Sequence, residues 1–211
     1  MIVAGLDEAG RGSLLGPLAV AAVAVRAEEQ RRLRELGARD SKRLTPGARR
    51  RVAGLLERAA RWSALLIPQW TVDASTRAGG GNLNLLEAAA FAKLIAELGP
   101  DVAIVDAPDP RPARFGALIS SMLEGMGRSP RVVARHRADA TYPVVGAASV
   151  IAKVVRDEGL AEWAGRYGYV GSGYPHDART LEFVENWRRA WGDYPYIARG
   201  TWSTLRRRGL E

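Results

Sequence analysis

The chain has 211 residues, 47% of them hydrophobic and 26% charged, enough for one domain with a full core or one domain plus a small appendage. Its 31 basic residues outnumber 23 acidic ones, and a net charge of +8 favours an acidic partner such as nucleic acid. The absence of cysteine excludes disulfides, thiolate metal sites and cysteine nucleophiles, and two histidines argue against a histidine-rich zinc site.

Only Lys42, Lys93 and Lys153 are lysines. Arginine's planar fork suits phosphate, although genome composition produces the same bias. Asp7 and Glu8 interrupt any signal-peptide pattern, and the longest apolar run, Leu14 to Val25, contains Gly16 and Pro17 and is too short to span a bilayer. A soluble, cytoplasmic protein without membrane association is expected.

In chain order, Ile2–Asp7 and Leu18–Val25 read as strands, punctuated by Gly10, Gly12, Gly16 and Pro17. Glu28–Leu36 reads as a short polar helix. Thr45 and Pro46 have the N-cap and N1 chemistry to open another, running to about Ala60. Ala64–Pro68 reads as a strand. Gly79-Gly80-Gly81 reads as flexible and leads to a helix at Asn84, where Asn84 and Glu87 have capping-box spacing; its apolar face extends to Leu98. Val102–Val105 is a continuous apolar run, as in a strand buried on both faces, and ends in Asp106. The pattern then predicts a helix over Ala113–Glu124, a strand over Val132–Ala134 and a long helix from Pro143 to about Arg166. A glycine- and tyrosine-rich loop, Gly168–Pro175, precedes a last helix, Ala178–Trp191, and a basic end, Arg206-Arg207-Arg208. Mixed strands and helices without repeats argue for one α/β domain with the late helices as an extension.

The segment Gly5-Leu6-Asp7-Glu8-Ala9-Gly10-Arg11-Gly12 carries the most chemistry. Two carboxylates closing a buried strand are costly to desolvate unless a cation or hydrogen-bond donors compensate them. The glycines that follow let a ligand approach the backbone. Asp106 also closes a strand, and Asp139 lies just before the helix predicted at Pro143. Acids at separate strand ends can converge on a ligand site, and hard divalent cations want such oxygen donors. Two ions held this way activate a water and stabilise the leaving oxygen of a phosphodiester. Taken singly, Asp139 also reads as charge at a helix start and Asp106 as a turn residue, and spacing alone does not bring the four acids together.

That opening segment, with Gly16-Pro17 beyond it, resembles the first motif of type 2 ribonucleases H, the ribonuclease HII family. Further stretches agree in order. Asp40-Ser41-Lys42-Arg43-Leu44-Thr45 resembles the family's DSK segment, and Val105-Asp106 fits its third acid. Ala138-Asp139 with Ala147-Ala148-Ser149-Val150-Ile151-Ala152-Lys153 resembles its AD…AAS-I-x-AK stretch, and Gly171-Ser172-Gly173-Tyr174-Pro175 its tyrosine loop. The likeness spans residues 5 to about 180. Ser13 departs from it, standing where many members have proline, and is expected to loosen the turn.

The resemblance implies an α/β, ribonuclease H-like mixed β-sheet flanked by helices: a catalytic domain over 1–175 and a C-terminal helical extension over 176–211 packed on it. It implies a site of Asp7, Glu8, Asp106 and Asp139 holding Mg2+ or Mn2+. The activity implied is endonucleolytic: hydrolysis of the RNA strand of RNA/DNA hybrids, and cleavage 5′ of ribonucleotides embedded in duplex DNA, leaving 3′-hydroxyl and 5′-phosphate ends. A protein distinguishes RNA from DNA by the 2′-hydroxyl or by helix shape. Backbone groups of Gly10, Arg11 and Gly12 suit that hydroxyl, as do the ring and hydroxyl of Tyr174. Lys42 and Lys153, with Arg43 as a weaker candidate, suit phosphate. His136 and His176 read better as surface histidines than as general acids, and Trp191 and Trp202 as core of the extension. A monomer is expected. A junction resolvase on the same fold and a non-catalytic nucleic-acid-binding module are the rival readings.

Overall fold

Val, Leu and Ala fill β2 (Leu18–Arg26) up to its last residue and apolar residues and Gly5 fill β1 (Ile2–Ala9) up to Asp7, so neither strand has a solvent face and both are buried nearly throughout. In the computed structural model, which describes residues 1–38, 44–77 and 83–202, they form the middle of a five-stranded sheet of order β3-β2-β1-β4-β5. The other strands are β3 (Arg61–Ile67), β4 (Val102–Asp106) and β5 (Arg131–Arg135). β1 pairs antiparallel with β2 and parallel with β4, and β4 pairs parallel with β5. The sheet is therefore mixed, as the family resemblance implies.

The helices are α1 (Gln30–Glu35, entered through a 3-10 turn, Ala27–Glu29), α2 (Pro46–Ala59), α3 (Gln69–Arg77), α4 (Leu83–Leu98), α5 (Pro112–Gly125), α6 (Ala138–Thr141), α7 (Pro143–Tyr167) and α8 (Ala178–Trp191). Thr45 caps α2 as its chemistry predicts, accepting from the Ala48 N–H. Two helices were not expected. α3 is rich in Thr and Ser and holds a valine, poor helix formers, and α6 is a single turn, too short for any periodicity. α4 begins one residue ahead of Asn84, which lies inside the helix rather than capping it; its side-chain amide donates to Asp109 Oδ2 at 2.9 Å. The triple glycine, the segment Asp40-Ser41-Lys42-Arg43 and the basic end Arg206-Arg207-Arg208 lie outside the described residues.

The chain divides into two compact units: Met1–Ala9, Ala19–Leu65 and Asn84–Val154 in the first, Gly10–Leu18, Leu66–Leu83 and Val155–Glu211 in the second. In the first, buried side chains such as Leu6, Val23, Leu94, Val105 and Ile151 make the core, with Phe91 edge-on to Phe115 at 5.8 Å. Gly5 seats the start of α7 directly on β1: a β-carbon there would lie 2.3 Å from the backbone of Val144 and Val145. In the second, Leu14, Leu15, Leu160, Val170, Val184 and Ile197 form a cluster against which Trp163, Tyr167, Phe183 and Trp202 pack. Among the described residues no helix is long and apolar enough to cross a membrane.

Candidate active site

Pairing of Leu6 with Val105 makes Asp7 and Asp106 the next residues of two neighbouring parallel strands, both at the carboxyl end. β5, also parallel, runs into α6, which carries Asp139. The entry to α6 is a left-handed residue, Arg137 at φ 54°, a conformation uncommon for a side chain larger than glycine. Carboxylate oxygens of Asp7, Asp106 and Asp139 all lie within 4.8 Å of one another. Three of the four expected acids thus converge. Glu8 follows Asp7 on β1 and is outside this close group.

Asp7 and Asp139 are buried, and carboxylates so placed repel one another and lose hydration. Burial pushes the Asp7 carboxyl up from its ordinary 3.8 to about 6, and the charge of Asp106 pushes the same way. The ammonium of Lys153, a hydrogen bond with the Ser149 hydroxyl and the Glu8 N–H, which donates to Asp7 Oδ1 at 2.8 Å, oppose it. Asp106 Oδ1 accepts from the Ala138 N–H at 3.2 Å, so the first turn of α6 supports one acid while carrying another. The donor set is all oxygen and anionic, and it fits a hard divalent cation. Lys153 donates to Ser149, one turn back on α7. Lys153, expected at phosphate, also sets its charge against Asp7. Ser149 went unassigned, although its i,i+4 spacing from Lys153 on one helix face was a readable signal.

In the second unit, the turn after β1 is held from several sides. Gly10 adopts φ 89°, and a β-carbon there would sit 2.7 Å from Pro17 O. The Gly10 N–H donates to the Tyr174 hydroxyl at 3.1 Å, so the predicted turn and the predicted tyrosine are in contact. Having accepted there, Tyr174 keeps its own hydroxyl proton for another acceptor. Its ring stacks on His176 at 5.5 Å and lies 4.6 Å below the guanidinium of Arg156, a nearly fully buried side chain. Ser13 does not loosen the turn as expected. Its hydroxyl donates to Gly10 O at 2.7 Å and its N–H to the same oxygen at 3.2 Å, so hydrogen bonds do what a proline ring would do by stiffness. Gly12 is exposed, and a β-carbon on it would meet nothing within 4 Å.

Lys42 lies outside the described residues. His136 is exposed, with Nδ1 3.1 Å from Ala107 O, and His176 precedes Asp177, the N-cap of α8. Trp202 packs as expected against the second unit's core, but Trp191 does not. It stands 71% exposed at the end of α8, because the helix's buried stripe is set by Leu181 and Val184 and the last turn carries it past that core.

This fold is shared with solved ribonucleases H. The crystal structure of ribonuclease H2 from Pyrococcus horikoshii OT3 matches with a TM-score of 0.88 at 40% identity, covering 98% of this chain and 96% of that one. RNase HII from Archaeoglobus fulgidus, solved in complex with PCNA, matches with a TM-score of 0.87 at 37% identity over 96% and 95% of the two chains. Ribonuclease HII of Thermofilum pendens is 44% identical over 215 residues, 97% of this chain and 98% of that relative. The class is ribonuclease H, a phosphodiester hydrolase. Within it the chain belongs to the ribonuclease HII family, whose model matches residues 4–205.

Proposed function

We propose that the protein is an endonuclease that hydrolyses the RNA strand of RNA/DNA hybrids and cuts 5′ of single ribonucleotides in duplex DNA, leaving 3′-hydroxyl and 5′-phosphate ends. The observation that carries this reading is the convergence of Asp7 and Asp106, on two parallel strands, with Asp139 of α6 in a chain of the ribonuclease HII family. These three, with Glu8 as a fourth donor, would hold Mg2+ or Mn2+. Such an ion supplies Lewis acidity for an attacking water and for the departing 3′-oxygen.

The chain's own groups account for the rest. Lys153 and Ser149 on α7 balance the charge of Asp7 and hold its carboxylate in place. Backbone groups of Gly10, Arg11 and Gly12 and the free proton of Tyr174 suit a ribose 2′-oxygen, which deoxyribose lacks. The net charge of +8 supports a polyanionic substrate, and Lys42 belongs to the same reading as a phosphate contact. A cytoplasmic monomer completes it.

The test is digestion of a duplex carrying one ribonucleotide, with magnesium and manganese titrated separately. Cleavage on the 5′ side of the ribonucleotide is expected. A protein that ignores this duplex and cuts a four-way DNA junction is a resolvase. One that binds equally with and without EDTA, and yields no product at any metal concentration, is a binding module.

A further inference from the structure

Arg199 is fully buried, yet it is 188 residues from Arg11, whose carbonyl it holds. A buried guanidinium is costly unless its donors are matched. Here Nη1 donates to Arg11 O at 3.1 Å, while Nε and Nη2 donate to Gly16 O at 3.1 and 2.9 Å. The guanidinium also lies 5.1 Å over the Trp202 ring. Main-chain pairing brings the same strand of tail to the turn: Gly16 N–H donates to Ile197 O at 2.8 Å, and Arg199 N–H donates to Leu14 O at 2.8 Å. One charged fork therefore fixes carbonyls on both sides of the glycine turn.

The consequence follows from peptide geometry. Across a trans peptide the C=O and the following N–H point in opposite directions, and the described residues contain no cis bond. With Arg11 O turned inward to Arg199, the Gly12 N–H faces the other way. Gly12 is exposed, with open space where a β-carbon would stand. A packing role would not need arginine here, since a neutral donor meets one carbonyl with less desolvation. The fork instead fixes two at a set separation.

We propose that Arg199 is a positioning residue: it sets the Arg11–Gly12 peptide so that the Gly12 N–H is presented to the substrate's 2′-hydroxyl. This rests on reading the turn as the ribose sensor, as argued above. Selectivity for ribose would then depend on a residue of the C-terminal tail that touches no substrate.

The experiment uses the full chain with Arg199→Lys, which keeps the charge and loses the fork. Amide hydrogen exchange at Ser13 and Gly16 reports the turn, with Leu6 on β1 as control. Binding in EDTA, compared between a duplex with one ribonucleotide and the same duplex all in DNA, reports ribose selectivity. We expect exchange at Ser13 and Gly16 to rise about tenfold with Leu6 unchanged. We expect the ribonucleotide-to-DNA affinity ratio to fall about tenfold, with affinity for the all-DNA duplex kept. A merely structural role would lower both affinities together. Unchanged exchange at Ser13 and Gly16 in the folded variant overturns the proposal, whatever happens to affinity. Faster exchange with an unchanged affinity ratio overturns the reading of the turn as the ribose sensor and the proposal with it. Should Arg199→Lys fail to fold, Trp202→Leu removes the ring beneath the guanidinium and is judged by the same two readouts, with smaller shifts in the same directions.

Discussion

The acidic cluster is assembled from side chains, the glycine turn from main-chain groups. In the first, Asp7, Asp106 and Asp139 are pressed together by two parallel strands and a one-turn helix, and burial drives the Asp7 carboxyl up to about 6. That arrangement is unfavourable by itself and becomes favourable with a cation. In the second, Gly10, Ser13 and Gly16 are satisfied within the protein by Tyr174, by their own turn and by Arg199, so the turn is settled without a ligand. On the proposed function, the first region stores electrostatic tension for a metal to relieve, and the second stores geometry for a sugar to meet. Each substitution below acts on one of the two.

Asp106→Asn should have the largest effect. Losing a partner behind a metal ligand costs up to about a hundredfold, so losing a ligand should reduce turnover by about a thousandfold or more. The variant should still fold, since it removes one of three crowded charges, and should still favour ribonucleotide-containing duplex. Near-normal turnover by a well-folded Asp106→Asn protein would sink the assignment of the cluster.

The second effect is a pH dependence that only the cluster should show. Asp7 titrates near 3.8 unfolded and about 6 folded, so its contribution to stability is fully present below pH 3.8 and lost as pH rises through 6. By linkage the difference is roughly 3 kcal/mol. In EDTA, Asp7→Asn should therefore raise Tm relative to the parent at pH 7.5 but not at pH 4. Magnesium should raise the parent's Tm more at pH 7.5 than at pH 5. A Tm difference between the two proteins that is the same at both pH values would contradict the crowding argument.

The cluster was the more legible region in sequence, for physical reasons. A strand that must be buried is apolar throughout, so charged residues at its end stand out, as Asp7 does after Ile2–Leu6 and Asp106 after Val102–Val105. Strand register, which is not written locally, was needed to make those two neighbours. Asp139 was found by motif, but α6 was not, because one turn has no periodicity and its left-handed entry falls on an arginine rather than a glycine. The turn's glycines and Tyr174 were visible, whereas its arginine supports were not. Arg156 and Arg199 are buried against the usual habit of arginine, and Arg199 meets the turn across most of the chain.

The two glycines of the turn separate structure from recognition. Gly10 has φ 89° and a carbonyl 2.7 Å from any β-carbon, so Gly10→Ala should destabilise the protein by about 2 kcal/mol or more, read as a lower Tm. Gly12 has open space, so Gly12→Ala should leave Tm within a degree or two. If the proposed reading of the turn holds, the added methyl group meets the sugar, and KM for the ribonucleotide duplex should rise about tenfold. A Gly12→Ala protein with parental KM would mean that the open face of the turn is not where the sugar lies.

The smallest effect tests the link between turn and tyrosine. Tyr174→Phe keeps the ring under Arg156 and against His176 but deletes the acceptor of the Gly10 N–H. Because the site is half-buried, water can replace that acceptor, and the stability loss should be only about 1 kcal/mol. The lost proton matters more if it reaches the 2′-oxygen. Turnover of the ribonucleotide duplex should then fall about fivefold to tenfold, while binding to all-DNA duplex and the magnesium-induced rise in Tm stay at parental values. Were magnesium stabilisation to weaken in Tyr174→Phe, the two regions would not be separable, because a change confined to the turn would have altered the charge balance of the acids.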